Sequence, residues 1–143
     1  MKPVSFEDLK GKVAVITGGA GVLGTALVEA MASVGMKIAI ADINKEVAAN
    51  LAAKVAEEYG AEVIGVEANV LDKPSLEAAL TEIHEKLGPV EILINGAGGN
   101  SPMATTKVEQ IEEKDLDNLE DTFYGLQMEG FDKVFAQIGR AHV

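Results

Sequence analysis

Between Thr17 and Gly24 the chain reads Thr-Gly-Gly-Ala-Gly-Val-Leu-Gly, which sets Gly19, Gly21 and Gly24 in the spacing G-x-G-x-x-G. An apolar run, Lys12 to Thr17 (KVAVIT), precedes it, and a helical pattern follows. In that setting each glycine has a physical use. Gly19 can turn tightly without a Cβ, Gly21 lets the backbone approach a pyrophosphate, and Gly24 lets the next helix pack closely on the strand. The free N–H groups and positive end of that helix then face the phosphates. Gly18, Val22 and Leu23 lie within the same loop. The competing reading is a plain strand-to-helix turn that happens to be glycine-rich. A strand before, a helix after and an acid at the right distance favour a dinucleotide.

That acid is Asp42, 18 residues after Gly24. A carboxylate there accepts hydrogen bonds from the hydroxyls of an adenosine ribose and repels a 2′-phosphate. No Arg is nearby, and Lys45 is the one close base. NAD is therefore expected over NADP. Asp42 and Asn44 also precede a helix, so Asp42 could serve as its N-cap, and both roles can hold together.

The elements that must position these residues follow from periodicity. Apolar residues at Val22, Leu23, Ala26, Leu27, Ala30, Met31 and Val34 form one helical stripe expected to be buried, closed by Gly35. A second strand is expected at Lys37 to Asp42. A second stripe, Val47, Ala48, Leu51, Ala52, Val55 and Tyr59, ends at Gly60. A third strand covers Glu62 to Val66. A third helix carries Leu76, Ala79, Leu80, Ile83 and Leu87, with Asp72 or Lys73 at its cap, Pro74 in its first turn and Gly88-Pro89 as its stop. Val90 to Asn95 is a fourth strand. Strands alternating with helices, and apolar on both faces, predict an α/β fold. The expectation is a Rossmann-like doubly wound parallel sheet, incomplete, with about four strands. Right-handed crossovers are required. Phe131, Val134, Phe135 and Ile138 predict a last helix beginning near Gly130.

Composition narrows the classes. The chain has 143 residues, which suits one domain, and a net charge of −11. That charge argues against a nucleic-acid partner, since phosphate attraction needs a basic face. No apolar run is long enough for a membrane helix, and Met1 to Lys12 has no signal-like apolar core. The absence of Cys excludes disulfides and thiolate chemistry, and two His without Cys make structural zinc unexpected. A cytoplasmic protein is the default expectation. Glu109 to Asp121 holds seven acids and one base but no calcium-loop pattern, so a solvated face is expected and no metal. His84 reads as a surface helix histidine.

These residues resemble the short-chain dehydrogenase/reductase family over roughly residues 8 to 136. The family's nucleotide loop is T-G-x-x-x-G-x-G. Thr17, Gly18 and Gly24 match it, and Val22 replaces its middle glycine, with Gly21 one place earlier. The acid-Val pair that meets adenine in the family is Asn69-Val70 here, and an Asn carbonyl can still accept from an adenine amino group. The family's N-N-A-G segment appears as Asn95-Gly96-Ala97-Gly98, which the resemblance places along the cofactor. The run LINGAGGNSPMATT with its acidic insertion is similar to a subgroup of mannonate (fructuronate) oxidoreductases, which implies a sugar acid as substrate. The resemblance further implies a strand order of 3-2-1-4 and a homo-oligomeric parent protein.

Family catalysis uses Asn, Ser and Tyr-x-x-x-Lys, the Tyr acting as general acid/base. Here Tyr59 is followed four residues on by Val63, and Tyr124 by Met128, so both read as helix-face aromatics and no catalytic residue is assigned. After Ala136 the chain ends in Gln-Ile-Gly-Arg-Ala-His-Val, and IGRAHV reads as a translated sequencing adapter. Residues 1–136 are therefore expected to be the N-terminal part of a Rossmann domain and 137–143 a non-native tail. The expected function is the cofactor half of an NAD(P)-dependent oxidoreductase, inactive alone. The alternatives are a dinucleotide-binding module without chemistry and an inert fragment. The fourth strand is expected to be an exposed edge that promotes association.

Overall fold

A computed structural model describes residues 5–138. The expected non-native tail falls mostly outside them, including Arg140 and His142. The described chain divides into two compact units, one ending at Ala97 and one spanning Gly98–Ile138.

In the first unit, β1 (Val13–Thr17), β2 (Lys37–Asp42), β3 (Val63–Glu67) and β4 (Ile92–Asn95) form one parallel sheet in the order β3-β2-β1-β4. The helices between them are α1 (Val22–Ser33), α2 (Lys45–Tyr59) and α3 (Lys73–Lys86). The order is that of a Rossmann-like half-sheet. Side-chain alternation between two covered faces explains why β1 and β2 carry unbroken apolar runs, Val13 to Ile16 and Ile38 to Ala41. Ala14, Ile16, Ile38 and Ile40 meet Val28 and Ala32 of α1 and Ala48, Ala52 and Val55 of α2 on one face. Val13, Val15, Ala39 and Ala41 meet Ala79 and Ile83 of α3 on the other.

The helix ends follow local chemistry. Past α1, Gly35 takes φ +79° and its N–H donates to Ala32 O, while Met36 N–H donates to Met31 O; this closes the last carbonyls in a Schellman motif. Asn44 caps α2 by accepting from Val47 N–H at 3.1 Å. Asp72 is the N-cap residue of α3, and Pro74 lies in its first turn.

The face of α1 and the start of β4 differ from expectation. The buried row of α1 is Gly24, Val28 and Ala32, whereas Val22, Leu23 and Leu27 are exposed at 92%, 81% and 40%. Gly24 seats the first turn of α1 on the glycine loop, and Val28 and Ala32 then reach the sheet core; that close fit outweighs the larger apolar count on the other face. β4 starts at Ile92, two residues later than expected. Val13 N–H is taken by the Glu91 carboxylate at 3.2 Å, so a side chain stands in for the ladder there.

The second unit contains short 3-10 turns at Pro102–Ala104, Glu113–Asp115, Leu119–Asp121 and Phe123–Gly125, and a helix α4 (Met128–Gln137). The acidic stretch thus folds into turns that are largely exposed, and Lys107 pairs with Asp121 at 2.6 Å. Gln137 closes α4 and accepts from Gly99 N–H at 2.8 Å, and Ile138 is 68% exposed. No helix among the described residues is long and apolar enough to cross a membrane.

Candidate functional site

The glycine loop runs from the end of β1 to the start of α1. Its positive-φ residue is Gly18, at +65°, rather than Gly19. A Cβ on Gly18 would also meet Ala97 Cα and Gly96 O at 2.8 Å, so both conformation and space require glycine there. Gly21 N–H closes the turn onto Gly18 O at 3.1 Å, and Gly21 is the N-cap residue of α1. Gly24 packs on the loop itself rather than on β1. A Cβ there would stand 2.5 Å from Gly18 O and 2.6 Å from Gly19 Cα.

The first turn of α1 has no side-chain cap. Its leading N–H groups therefore lack an intrahelical partner and point, with the positive end of the helix dipole, out of the C-terminal edge of the sheet. Val22 and Leu23, both exposed, flank this opening. A helix N-terminus that no side chain caps leaves its N–H groups free to meet an anion such as a pyrophosphate.

Asp42 ends β2 beside the loop. Its Oδ2 accepts from Ala20 N–H at 3.2 Å and its Oδ1 from Asn44 N–H at 3.1 Å. The helix-capping role belongs to Asn44, so Asp42 is not an N-cap. A carboxylate has about four acceptor positions. Two remain for a diol after these bonds are made.

Asn69 and Val70 follow β3. Ala68 N–H donates to Asp42 O at 2.9 Å, which sets Asn69 next to the acid. Asn69 N–H donates to Ser75 Oγ and Asn69 Oδ1 accepts from Leu71 N–H, both at 3.0 Å. Asn95, Gly96 and Ala97 follow β4. Here Thr17 acts in a way that motif matching alone misses. Buried at the end of β1, it accepts from both Gly96 N–H and Ala97 N–H through Oγ1, each at 3.2 Å. A hydroxyl closing an otherwise apolar strand is the signal that could have found it.

Gly18, Gly19, Gly21, Val22, Leu23, Gly24, Asp42, Asn69, Val70, Asn95, Gly96 and Ala97 thus gather at the carboxyl ends of four parallel strands, where open α/β sheets bind ligands. Gly98 opens the second unit. Tyr59 ends α2, whereas Tyr124 lies in a 3-10 turn at 73% exposure, not on a helix. His84 is exposed on α3. A groove of about 330 Å³ between α3 and the sheet is lined mainly by apolar side chains, among them Val15, Leu76, Ile83 and Leu93. Among the described residues no group of three His, Cys, Asp or Glu could hold a metal ion.

Known proteins match this chain widely. The family model described as short chain dehydrogenase covers residues 12–128. The uncharacterized oxidoreductase UxuB of Bacillus subtilis is 42% identical over 130 residues, which are 91% of this chain and 45% of that protein. An uncharacterized oxidoreductase of Haemophilus influenzae is 37% identical over 94% of this chain and 47% of its own length. Among solved structures, a candidate D-mannonate oxidoreductase from Haemophilus influenza with bound NAD has a TM-score of 0.83 at 34% identity, over 93% of this chain and 47% of that one. A short chain dehydrogenase/reductase from Burkholderia phymatum in complex with NAD has a TM-score of 0.73 at 28% identity, over 96% of this chain and 42% of that one. The chain spans about half the length of the curated relatives it matches.

Proposed function

The chain belongs to the short-chain dehydrogenase family, and from that premise we propose that it binds NAD through the C-terminal edge of its sheet. The carrying observation is the Asp42–Ala20 hydrogen bond, which joins a ribose-binding acid to a phosphate-binding loop. The N-terminus of α1 would take the pyrophosphate. Asp42 would take the ribose hydroxyls and disfavour a 2′-phosphate. Asn69 and Val70 would frame the base, and Asn95 to Ala97 would line the nicotinamide half. The bound cofactor supplies hydride exchange with a carbonyl or alcohol carbon. The two solved relatives with NAD support the choice of cofactor.

Neither Tyr59 nor Tyr124 has Lys four residues on. This chain alone is therefore proposed to bind dinucleotide without turnover. The whole protein is proposed to be a homo-oligomeric cytoplasmic oxidoreductase acting on a sugar acid of the mannonate or fructuronate kind. Similarity to a candidate D-mannonate oxidoreductase supports that substrate. The cofactor reading is tested by fluorescence titration with NADH and NADPH. The substrate reading is tested by NAD-linked oxidation of mannonate by the whole protein, with neutral sugars as the comparison; equal rates would overturn it.

A further inference from the structure

We infer that Asn69 makes the base end of this site tolerant of a carbonyl at the 6-position of the purine, so that a hypoxanthine dinucleotide binds about as well as an adenine one. The inference deepens the proposed NAD site and rests on it.

Sheet order fixes where a base must lie. The phosphate loop sits at the end of β1 and the ribose acid at the end of β2. The next strand away from the phosphates is β3, paired to β2 with Asp42 opposite Glu67. A nucleoside held at Asp42 with its phosphates on α1 therefore extends its base toward the residues just past β3, and Asn69 is two residues past Glu67.

The hydrogen bonds of Asn69 decide what it offers that base. Its N–H donates to Ser75 Oγ at 3.0 Å and its main-chain carbonyl accepts from Asp72 N–H at 3.0 Å. Its side-chain Oδ1 accepts from Leu71 N–H at 3.0 Å. A backbone N–H can only donate, so the amide cannot flip without losing that bond. Among the described residues no partner takes up Nδ2, and the residue is only partly buried. The edge left for a ligand therefore includes an NH2 donor. A ring nitrogen of adenine or the 6-oxygen of hypoxanthine can accept from it, whereas the second lone pair of Oδ1 can still take an adenine amino proton. A carboxylate at the same place could only accept. It would welcome the adenine amino group and repel a 6-oxygen. Facing two acceptors without a proton between them costs on the order of tenfold in affinity.

Calorimetric titration of the chain with NAD and with nicotinamide hypoxanthine dinucleotide tests this. The two dissociation constants are expected to agree within about threefold, and Asn69→Asp is expected to open a preference for NAD of about tenfold. A tenfold preference for NAD in the unmodified chain, or a folded Asn69→Asp variant with an unchanged ratio, would overturn the inference while leaving the NAD site standing. Circular dichroism checks the variant, and the ratio in the unmodified chain decides without it. Binding of neither dinucleotide would overturn the site itself and this inference with it.

Discussion

The Oδ2 atom of Asp42 lies 3.2 Å from the Ala20 nitrogen, so the residue that ends β2 holds the loop that follows β1. In the proposed NAD site that one side chain would serve two parts of the dinucleotide. It restrains the backbone proposed to meet the phosphates, and it keeps acceptor positions for the ribose.

Asp42→Ala should remove both functions. Ala20 loses an acceptor in a partly buried setting and Asn44 loses one in an exposed setting, at a cost of about 1 kcal/mol in stability. NADH affinity should fall at least about tenfold, and the preference for NADH over NADPH should shrink because the repelling charge is gone. Hydrogen exchange at Ala20 should quicken. Unchanged exchange there would show that the carboxylate does not hold the loop.

Gly24→Ala should damage the loop directly. The added methyl would meet Gly18 O at 2.5 Å, and that neighbour is backbone with little freedom to move. Overpacking of this kind costs about 1–3 kcal/mol. The expected result is a lowered melting temperature with NADH binding lost, whereas Gly99→Ala, in open space, should leave melting nearly unchanged.

Thr17→Val should separate shape from hydrogen bonding. The side chain is buried and nearly isosteric with Val, yet Ala97 N–H loses its acceptor and Gly96 N–H keeps only Ile94 O, at 3.1 Å. A cost of about 1–3 kcal/mol is expected by chemical denaturation. Thr17→Ser keeps the hydroxyl and should recover most of it.

Tyr59 should titrate above the ordinary phenol value of 10.0, because desolvation first, and then the charges of Glu58 and Glu29, disfavour its phenolate. The fold thus favours the protonated form. Its contribution to stability is full below pH 10.0 and is lost as pH rises through the raised value. Tyr59 closes α2 at the end opposite the one that follows Asp42, so Tyr59→Phe should leave NADH binding unchanged. Phenolate absorbance of the Tyr124→Phe variant follows this group alone, and a midpoint below 10.0 would contradict the assignment.

β4 pairs with β1 on one side and, among the described residues, with no strand on the other. Leu93 at its centre is 37% exposed. An apolar edge of this kind recruits other chains, and a charge on it opposes pairing. Leu93→Lys should therefore raise the monomer fraction in sedimentation velocity. An unmodified chain that is already a clean monomer at all concentrations would remove the basis for this expectation.

Much of the frame was legible because periodicity and stop signals agreed. KVAVIT and KIAIAD contain β1 and β2, and Gly60 ends α2 where its pattern stops. The face of α1 was not legible in the same way. Counting apolar residues selects Val22, Leu23 and Leu27, whereas packing distance selects Gly24, Val28 and Ala32. The strand order came from resemblance, and pairing in the sheet agrees with it. Within the site, glycine spacing located the loop but assigned its sharp turn to Gly19 instead of Gly18. Spacing records where glycines are, and not which one carries the positive φ. The orientation of the Asn69 amide was beyond a linear reading, since it depends on which N–H the carbonyl meets.

The most direct test of the central claim is a fluorescence titration of the folded chain with NADH and NADPH, alongside Asp42→Ala. Saturable binding is expected, tighter for NADH, and weakened at least about tenfold by the substitution. Tighter NADPH binding, or no saturable binding of NADH by a chain that circular dichroism shows to be folded, would contradict it.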